Sequence, residues 1–216
     1  MRNRLEAPKI IAVTSNWVVV AKPPGWLTIP GRPTTGDQAA PTPVLSEWVR
    51  EQYPPIWVVH RLDRETSGIV LFARSTEDHQ RANRWFEKRE TKKIYHCLAA
   101  GVSGIPILKI RAPIEGAPSL TQVEVLESFP GAFYAKVVPA TGRRHQIRIH
   151  LASLGFPLLG DPQYGGPMGV GEVEVGRVAL HALSLELPTK EVFEAPLPED
   201  FLGWLGSLRE LAAEEK

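Results

Sequence analysis

The amino-acid sequence predicts an α+β fold: a single domain on a mainly antiparallel sheet flanked by helices and loops. Short apolar runs of strand length recur, joined in places by tight turns and in places by helical stretches, with no internal repeat. Twenty prolines and eighteen glycines among 216 residues interrupt the patterns often, so connections are numerous. At 43% hydrophobic, a chain of this length buries a sizeable core as one domain.

The elements follow in order. Residues 10–13 and 17–21 are apolar runs separated by Thr14-Ser15-Asn16, which fits a hairpin ended by Lys22-Pro23-Pro24-Gly25. Residues 30–43 read as a long loop. Thr42 is the expected cap of a short helix with Pro43 at its first position, running to about Tyr53. Apolar residues 58–59 and 68–73 flank a charged stretch over 60–67. Ser75 or Thr76 caps a second helix, to about Glu90, whose surface carries Arg81, Arg84, Lys88 and Arg89. Strands are expected at 94–100, 121–128 and 133–138. A third helix spans about 145–154 and stops at Gly155, the usual left-handed cap residue. Residues 178–187 alternate in their latter half. A closing helix from about Pro198 to 213 aligns Phe201, Trp204, Leu205, Leu208 and Leu211 in one apolar stripe.

Composition excludes some classes. No run of about 18 apolar residues exists to span a membrane. Residues 1–12 lack the apolar region and cleavage site of an export signal. The single cysteine, Cys97, cannot form an internal disulfide and suits a reducing compartment, so a cytoplasmic location is expected. The net charge of +1 hides an asymmetry. Residues 191–216 carry two basic against seven acidic residues, leaving 23 against 17 in residues 1–190. A moderately basic body suits polyanions through local patches, although unevenly spread surface charge explains it equally well.

Two segments resist explanation by packing. His60-Arg61-Leu62-Asp63-Arg64-Glu65-Thr66-Ser67 sets five ionisable groups between apolar runs that hold its ends. Arginines at 61 and 64 favour a charged Asp63, which can act as nucleophile or base without a metal. A solvated loop is the plainer account of this stretch. The second segment runs from Pro139 through Thr141-Gly142-Arg143-Arg144-His145-Gln146-Ile147-Arg148 to Gly155. It places cations at the start of a helix, where dipole and free N–H groups already favour anions, making a phosphate site. Helical spacing predicts that Arg144 and Arg148 share a face, that Arg148 can pair with a buried carboxylate, and that Arg143 and His145 face outward. Here too a surface helix with a charged wet face is the plainer account.

These residues resemble the RluA family of pseudouridine synthases. His60-Arg61-Leu62-Asp63 with Thr66-Ser67-Gly68 looks like that family's catalytic motif. Thr141-Gly142-Arg143 with His145-Gln146-Ile147-Arg148, then Gly155, Pro157, Gly160-Asp161 and Tyr164-Gly165, resembles its second signature. Lys93-Ile94-Tyr95, Leu180-His181-Ala182 and residues 18–25 are similar to further elements of the family. All occur in the family's order over roughly residues 10–200. Pro24 in the opening turn and Ile29, where many members carry histidine, are the departures. No appended small RNA-binding domain, such as some relatives carry, is expected.

The resemblance implies an isomerase that converts a specific uridine in structured transfer or ribosomal RNA to pseudouridine. Uracil is detached from C1′, rotated and rejoined through C5, so no cofactor and no metal are implied. Neither histidine spacing nor cysteine count suggests a metal site. Asp63 is implied as the catalytic carboxylate, attacking C1′ or uracil C6 or removing a ribose proton; the sequence leaves these open. Tyr95 would stack on the base, Arg148 would pair with Asp63, and Leu180 would supply an apolar contact. Arg61 would fill the space vacated by a flipped base. Lys93, Arg143 and His145, with Arg84, Lys88 and Arg89, would contact RNA phosphates. His60, His150 and His181 read as structural. A monomer is expected. Two other classes are weighed: an RNA-binding protein without catalysis, which needs no carboxylate beside the phosphates, and a glycoside hydrolase, which needs a second carboxylate.

Overall fold

The computed structural model describes residues 5–31 and 42–214. Residues 32–41 of the expected loop lie outside the described residues. In chain order the elements are β1 (Lys9–Val13), β2 (Trp17–Lys22), α1 (Leu45–Gln52), β3 (Trp57–Val58), β4 (Ser67–Ala73), α2 (Thr76–Glu87) and β5 (Lys92–Ala100). They continue with β6 (Ile107–Ile110), β7 (Thr121–Phe129), β8 (Ala132–Pro139), α3 (Gln146–Ser153), β9 (Gly169–Val170), β10 (Val173–Glu174), β11 (Leu180–Glu186), β12 (Val192–Glu194) and α4 (Glu199–Glu214). The fold is α+β, and its principal ladders are antiparallel. Two compact units divide the chain. The first comprises the residues up to Thr91 with Leu185–Ala195, the second Lys92–Ser184 with the chain from Pro196 onward.

In the first unit β2 pairs with β1 and β4, and the short β3 lies on the other edge of β4. All seven residues of β4 are buried, as suits a strand covered on both faces. Ser75 caps α2 as expected, its Oγ accepting the Asp78 N–H at 3.0 Å. The expected Thr42 cap is corrected: α1 begins at Leu45, and Val44 at its cap makes no side-chain bond. The Leu27 carbonyl takes the Leu45 N–H at 2.8 Å, and the Thr28 carbonyl takes that of Ser46 at 3.1 Å. Main chain distant in sequence satisfies the helix start, so no capping side chain is required there.

In the second unit β8 pairs with β5 and β7, and β7 with β6, and this sheet carries a helix on each face. Successive side chains of a strand point to opposite faces, and both layers follow from this alternation. Cys97, Ala99, Phe133, Ala135 and Val137 pack with Ile147 and Leu151 of α3. Leu98, Ala132 and Tyr134 pack with Phe201, Leu205 and Leu208 of α4, which is the apolar stripe read from the sequence. Residues 169–174 form the antiparallel β9–β10 hairpin.

Phe201 is fully buried, so Phe201→Ala is expected to cost about 3–5 kcal/mol, read as a lower urea midpoint at unchanged slope. Burial pushes the Cys97 thiol up to about 12 from its ordinary 9.0. Its raised folded value means that its contribution to stability is complete below about pH 9 and is lost as pH rises toward about 12. Native protein at pH 8 should therefore resist iodoacetamide, with labelling appearing only in denaturant.

Candidate active site

In the first unit, Asp63 lies on the connection between β3 and β4, and main-chain bonds pin that connection residue by residue. Thr28 Oγ1 donates to the Leu62 carbonyl and accepts the Leu62 N–H, both at 3.1 Å. The Asp63 carbonyl accepts the Thr66 N–H at 3.1 Å, closing a turn around the carboxylate. The Arg64 carbonyl accepts the Gly25 N–H and the Lys22 ammonium, each at 2.9 Å. Lys22 is 1% exposed, and its Nζ also donates to the carbonyls of Pro23 and Trp26 at 3.0 Å. A buried ammonium is tolerable only when acceptors replace its water, and these three do so.

The ends of the loop are equally fixed. His60 stacks on Phe86 and its Nε2 accepts the Leu71 N–H at 3.0 Å, which sets the ring as a neutral tautomer protonated at Nδ1. Thr66 and Ser67 are buried. Between these anchors the Asp63 side chain is half-buried, while Arg61 and Arg64 are exposed and Arg64 pairs with Glu65 at 2.7 Å. The result is a carboxylate on a rigid loop with access to solvent. On α2 of the same unit, Arg84, Lys88 and Arg89 are exposed.

In the second unit, alternation along β5 puts Lys93 and Tyr95 on the same face as Cys97 and Ala99, toward α3. Tyr95 packs against the cluster that includes Leu180 and Ile147, so the unit brings Tyr95 and Leu180 to one face. Burial pushes the Lys93 ammonium below the usual lysine range. A Cβ at Gly142 would lie 3.6 Å from Lys93 Nζ, so the lysine reaches the turn that precedes α3.

Arg148, on α3, is buried and held on three sides. Its Nε and Nη2 donate to the two oxygens of Asp161 at 2.6 and 2.7 Å. Nη2 also donates to Gln163 Oε1 at 3.0 Å, and the guanidinium lies 4.9 Å from the centre of the Tyr164 ring. Asp161 is 0% exposed, so this is the buried pairing of arginine and carboxylate that the spacing anticipated. The chain around it must come close to itself. A Cβ at Gly160 would meet the Arg177 carbonyl at 2.0 Å, and one at Gly166 the Leu158 carbonyl at 1.9 Å.

Two expectations about this segment are corrected. The helix starts at Gln146, with His145 left-handed at φ 55°, so Arg143 and Arg144 sit on a turn before it. Arg144 therefore shares no helical face with Arg148. His145 does not face outward: it is half-buried, and its Nδ1 meets the Tyr164 hydroxyl at 2.8 Å. Arg143 is exposed, as expected. Sequence reasoning assigned no role to Lys22, Thr28, Gln146 or Tyr164, which hold the segments that carry the candidates. Each lies in or beside a quoted motif, and that was the signal available. Among the described residues, no three His, Cys, Asp or Glu gather as metal ligands.

Removing one member of a buried ion pair strands the other. Asp161→Asn is therefore expected to lower stability by about 3–5 kcal/mol in urea titration. A loss under about 1 kcal/mol would show that the pair is not the anchor described.

A family model described as RNA pseudouridylate synthase matches residues 16–153. The dual-specificity RNA pseudouridine synthase RluA of Vibrio cholerae is 33% identical over 65% of this chain and 62% of its own length. The protein of the same name from Pasteurella multocida is 36% identical over 69% of this chain and 73% of its own length. The solved structure of human RNA pseudouridylate synthase domain containing 1 aligns with a TM-score of 0.69 at 26% identity, covering 99% of this chain and 89% of that one. The model match alone spans more than half of the chain, and the fold agrees with it. The chain belongs to the RNA pseudouridylate synthase family of enzymes.

Proposed function

We propose that the chain converts a specific uridine, in a structured loop of transfer or ribosomal RNA, to pseudouridine, with Asp63 as the catalytic carboxylate. What supports this most directly is the construction of the Asp63 loop. Thr28, Lys22, Gly25 and Thr66 fix its backbone on both sides of a half-buried carboxylate. A loop needed only as a connection has no use for that rigidity, whereas a reacting group does.

In the reaction the bond from C1′ to N1 breaks, the base turns, and C1′ bonds to C5. The C5 proton leaves to solvent, and N1, freed from C1′, takes up a proton. Atoms balance without a cofactor or an external oxidant. Each route in which Asp63 attacks C1′, attacks C6 or removes a ribose proton uses the same ionised carboxylate. Tyr95 stacks on the base and Leu180 lines the apolar side of its pocket. Arg148, on the helix that follows the Arg143 turn, is held in place by Asp161 and Gln163.

A paired uridine hides C1′ within the helix, so the target nucleotide must be unpaired or extruded, which is least costly in loops. Arg61, exposed beside Asp63, fills the place the base leaves. Arg84, Lys88, Arg89, Lys93, Arg143 and His145 contact phosphates. The enzyme acts as a monomer in the cytoplasm, where the buried Cys97 stays reduced. No described helix is long and apolar enough to cross a membrane.

The decisive measurement is tritium release from RNA labelled at uracil C5, which forming the new bond must expel. The parent protein should release label and Asp63→Asn none above background. Release by both would remove Asp63 from the chemistry; release by neither, with RNA still bound, would favour a binding protein without catalysis. Arg61→Ala should slow release from folded RNA, and parental rates would end its assigned role. With about four phosphates engaged, log affinity should fall against log salt with a slope of about −3, and a flat response would discard the basic track.

A further inference from the structure

The turn bearing Arg143 and Arg144 is held by a hydrogen-bond network whose every proton can be assigned. Gln146 Oε1 accepts from Thr141 Oγ1 at 2.6 Å and from the Arg143 N–H at 3.1 Å. Gln146 Nε2 donates to the Leu120 carbonyl and to Thr121 Oγ1, each at 3.0 Å. The opposite amide orientation would set NH₂ against an N–H and one carbonyl against another, so only this one is stable. The Leu120 N–H donates to Thr141 Oγ1 at 3.2 Å. His150 faces the Ala112 carbonyl through Nε2 at 3.0 Å. A carbonyl only accepts, so Nε2 carries the proton and Nδ1 accepts from the Thr121 hydroxyl at 2.8 Å.

Thr121, Thr141, Gln146 and His150 are all buried. Four buried polar side chains cost desolvation, and an apolar patch would hold a plain connection equally well. What the network holds is exposed: Gly142, Arg143 and Arg144 bury nothing of their own. Gln146 grips the turn on either side of Gly142, through the Thr141 hydroxyl and the Arg143 N–H. It also ties that turn to the chain at Leu120 and Thr121, and through Thr121 to His150. The arrangement fixes the direction from which the two guanidinium groups leave the backbone.

We propose that Gln146 is a positioning residue for RNA: it presents Arg143 and Arg144 to phosphates in one orientation, so that less ordering is needed on binding. This rests on the reading that the turn binds RNA. Gln146 touches no reacting atom, so its effect falls on affinity and not on the rate of the bound complex.

The test uses the full chain and one target-bearing RNA, with affinity from filter binding and single-turnover rate at saturating RNA. Gln146→Leu and Thr141→Val should each weaken binding by about three- to tenfold, which is the cost of ordering the released side chains. Thr141→Ser, which keeps the hydroxyl, should bind as the parent does. The saturated rate should stay within about twofold throughout, a separation that general loosening of the fold would not give. Combined with Arg143→Ala and Arg144→Ala, Gln146→Leu should add no further loss, because the groups it orients are gone. Additive losses, or parental affinity in both Gln146→Leu and Thr141→Val, would overturn the proposal. Should Gln146→Leu fail to fold, the contrast between Thr141→Val and Thr141→Ser decides it. Parental affinity in the double arginine variant would instead sink the phosphate reading of the turn, and the positioning role with it.

Discussion

A lysine ammonium cannot be buried without acceptors to replace its water, and at Lys22 that requirement organises the first unit. Three carbonyls meet Nζ: Pro23 and Trp26 from the turn after β2, and Arg64 from the loop that carries Asp63. Losing any one leaves part of a charge unsolvated in the interior, so the turn and the loop are held as one piece. Thr28, just beyond that turn, grips Leu62 through both its N–H and its carbonyl. The carboxylate is thereby presented by main-chain contacts on either side of it. None of these contacts uses the carboxylate itself to hold the loop together.

The second unit solves a different problem by the same means. Its sheet is ordinary in packing, with α3 on one face and α4 on the other, each buried through an alternating set of side chains. Polar groups of α3 are placed where apolar ones would be cheaper. Arg148 is matched oxygen for nitrogen by Asp161, while Gln146 and His150 have their side-chain polar atoms satisfied within the unit. Buried polar groups that are fully satisfied specify one geometry; partly satisfied ones would permit several. This eight-residue helix is fixed by these bonds as well as by the packing of Ile147 and Leu151.

How much of this the sequence revealed depends on how far apart the partners lie. Local signals were legible: Ser75 capping α2, Gly155 closing α3, the stripe of α4, and strands whose alternation spans five residues or more. The start of α1 was misread because its N–H groups are satisfied by Leu27 and Thr28, and no capping rule sees residues so distant. The start of α3 was misread because the charged run looks helical, whereas Gln146 turns back on Thr141 and Arg143 and stops the helix from extending. Strands of two residues, as in β9 and β10, carry no period to read. The candidate residues were found through their motifs, but what holds them was not. Thr121 lies 25 residues from Gln146, and Lys22 lies 42 from Arg64.

That division has a physical basis. A reacting group must be reachable, and its type is limited by the chemistry, as with the half-buried carboxylate proposed here. Such residues are conspicuous in a sequence because packing does not call for them. A holding group is chosen by the carbonyls and N–H groups it happens to meet, and several residue types can satisfy the same demand. Lysine, threonine, glutamine and histidine all serve that purpose here, each buried, each meeting a different set of main-chain atoms. Their identity follows from tertiary geometry, so it becomes readable only when the fold is known. The precision of the candidate site then rests on residues whose chemistry the reaction never uses.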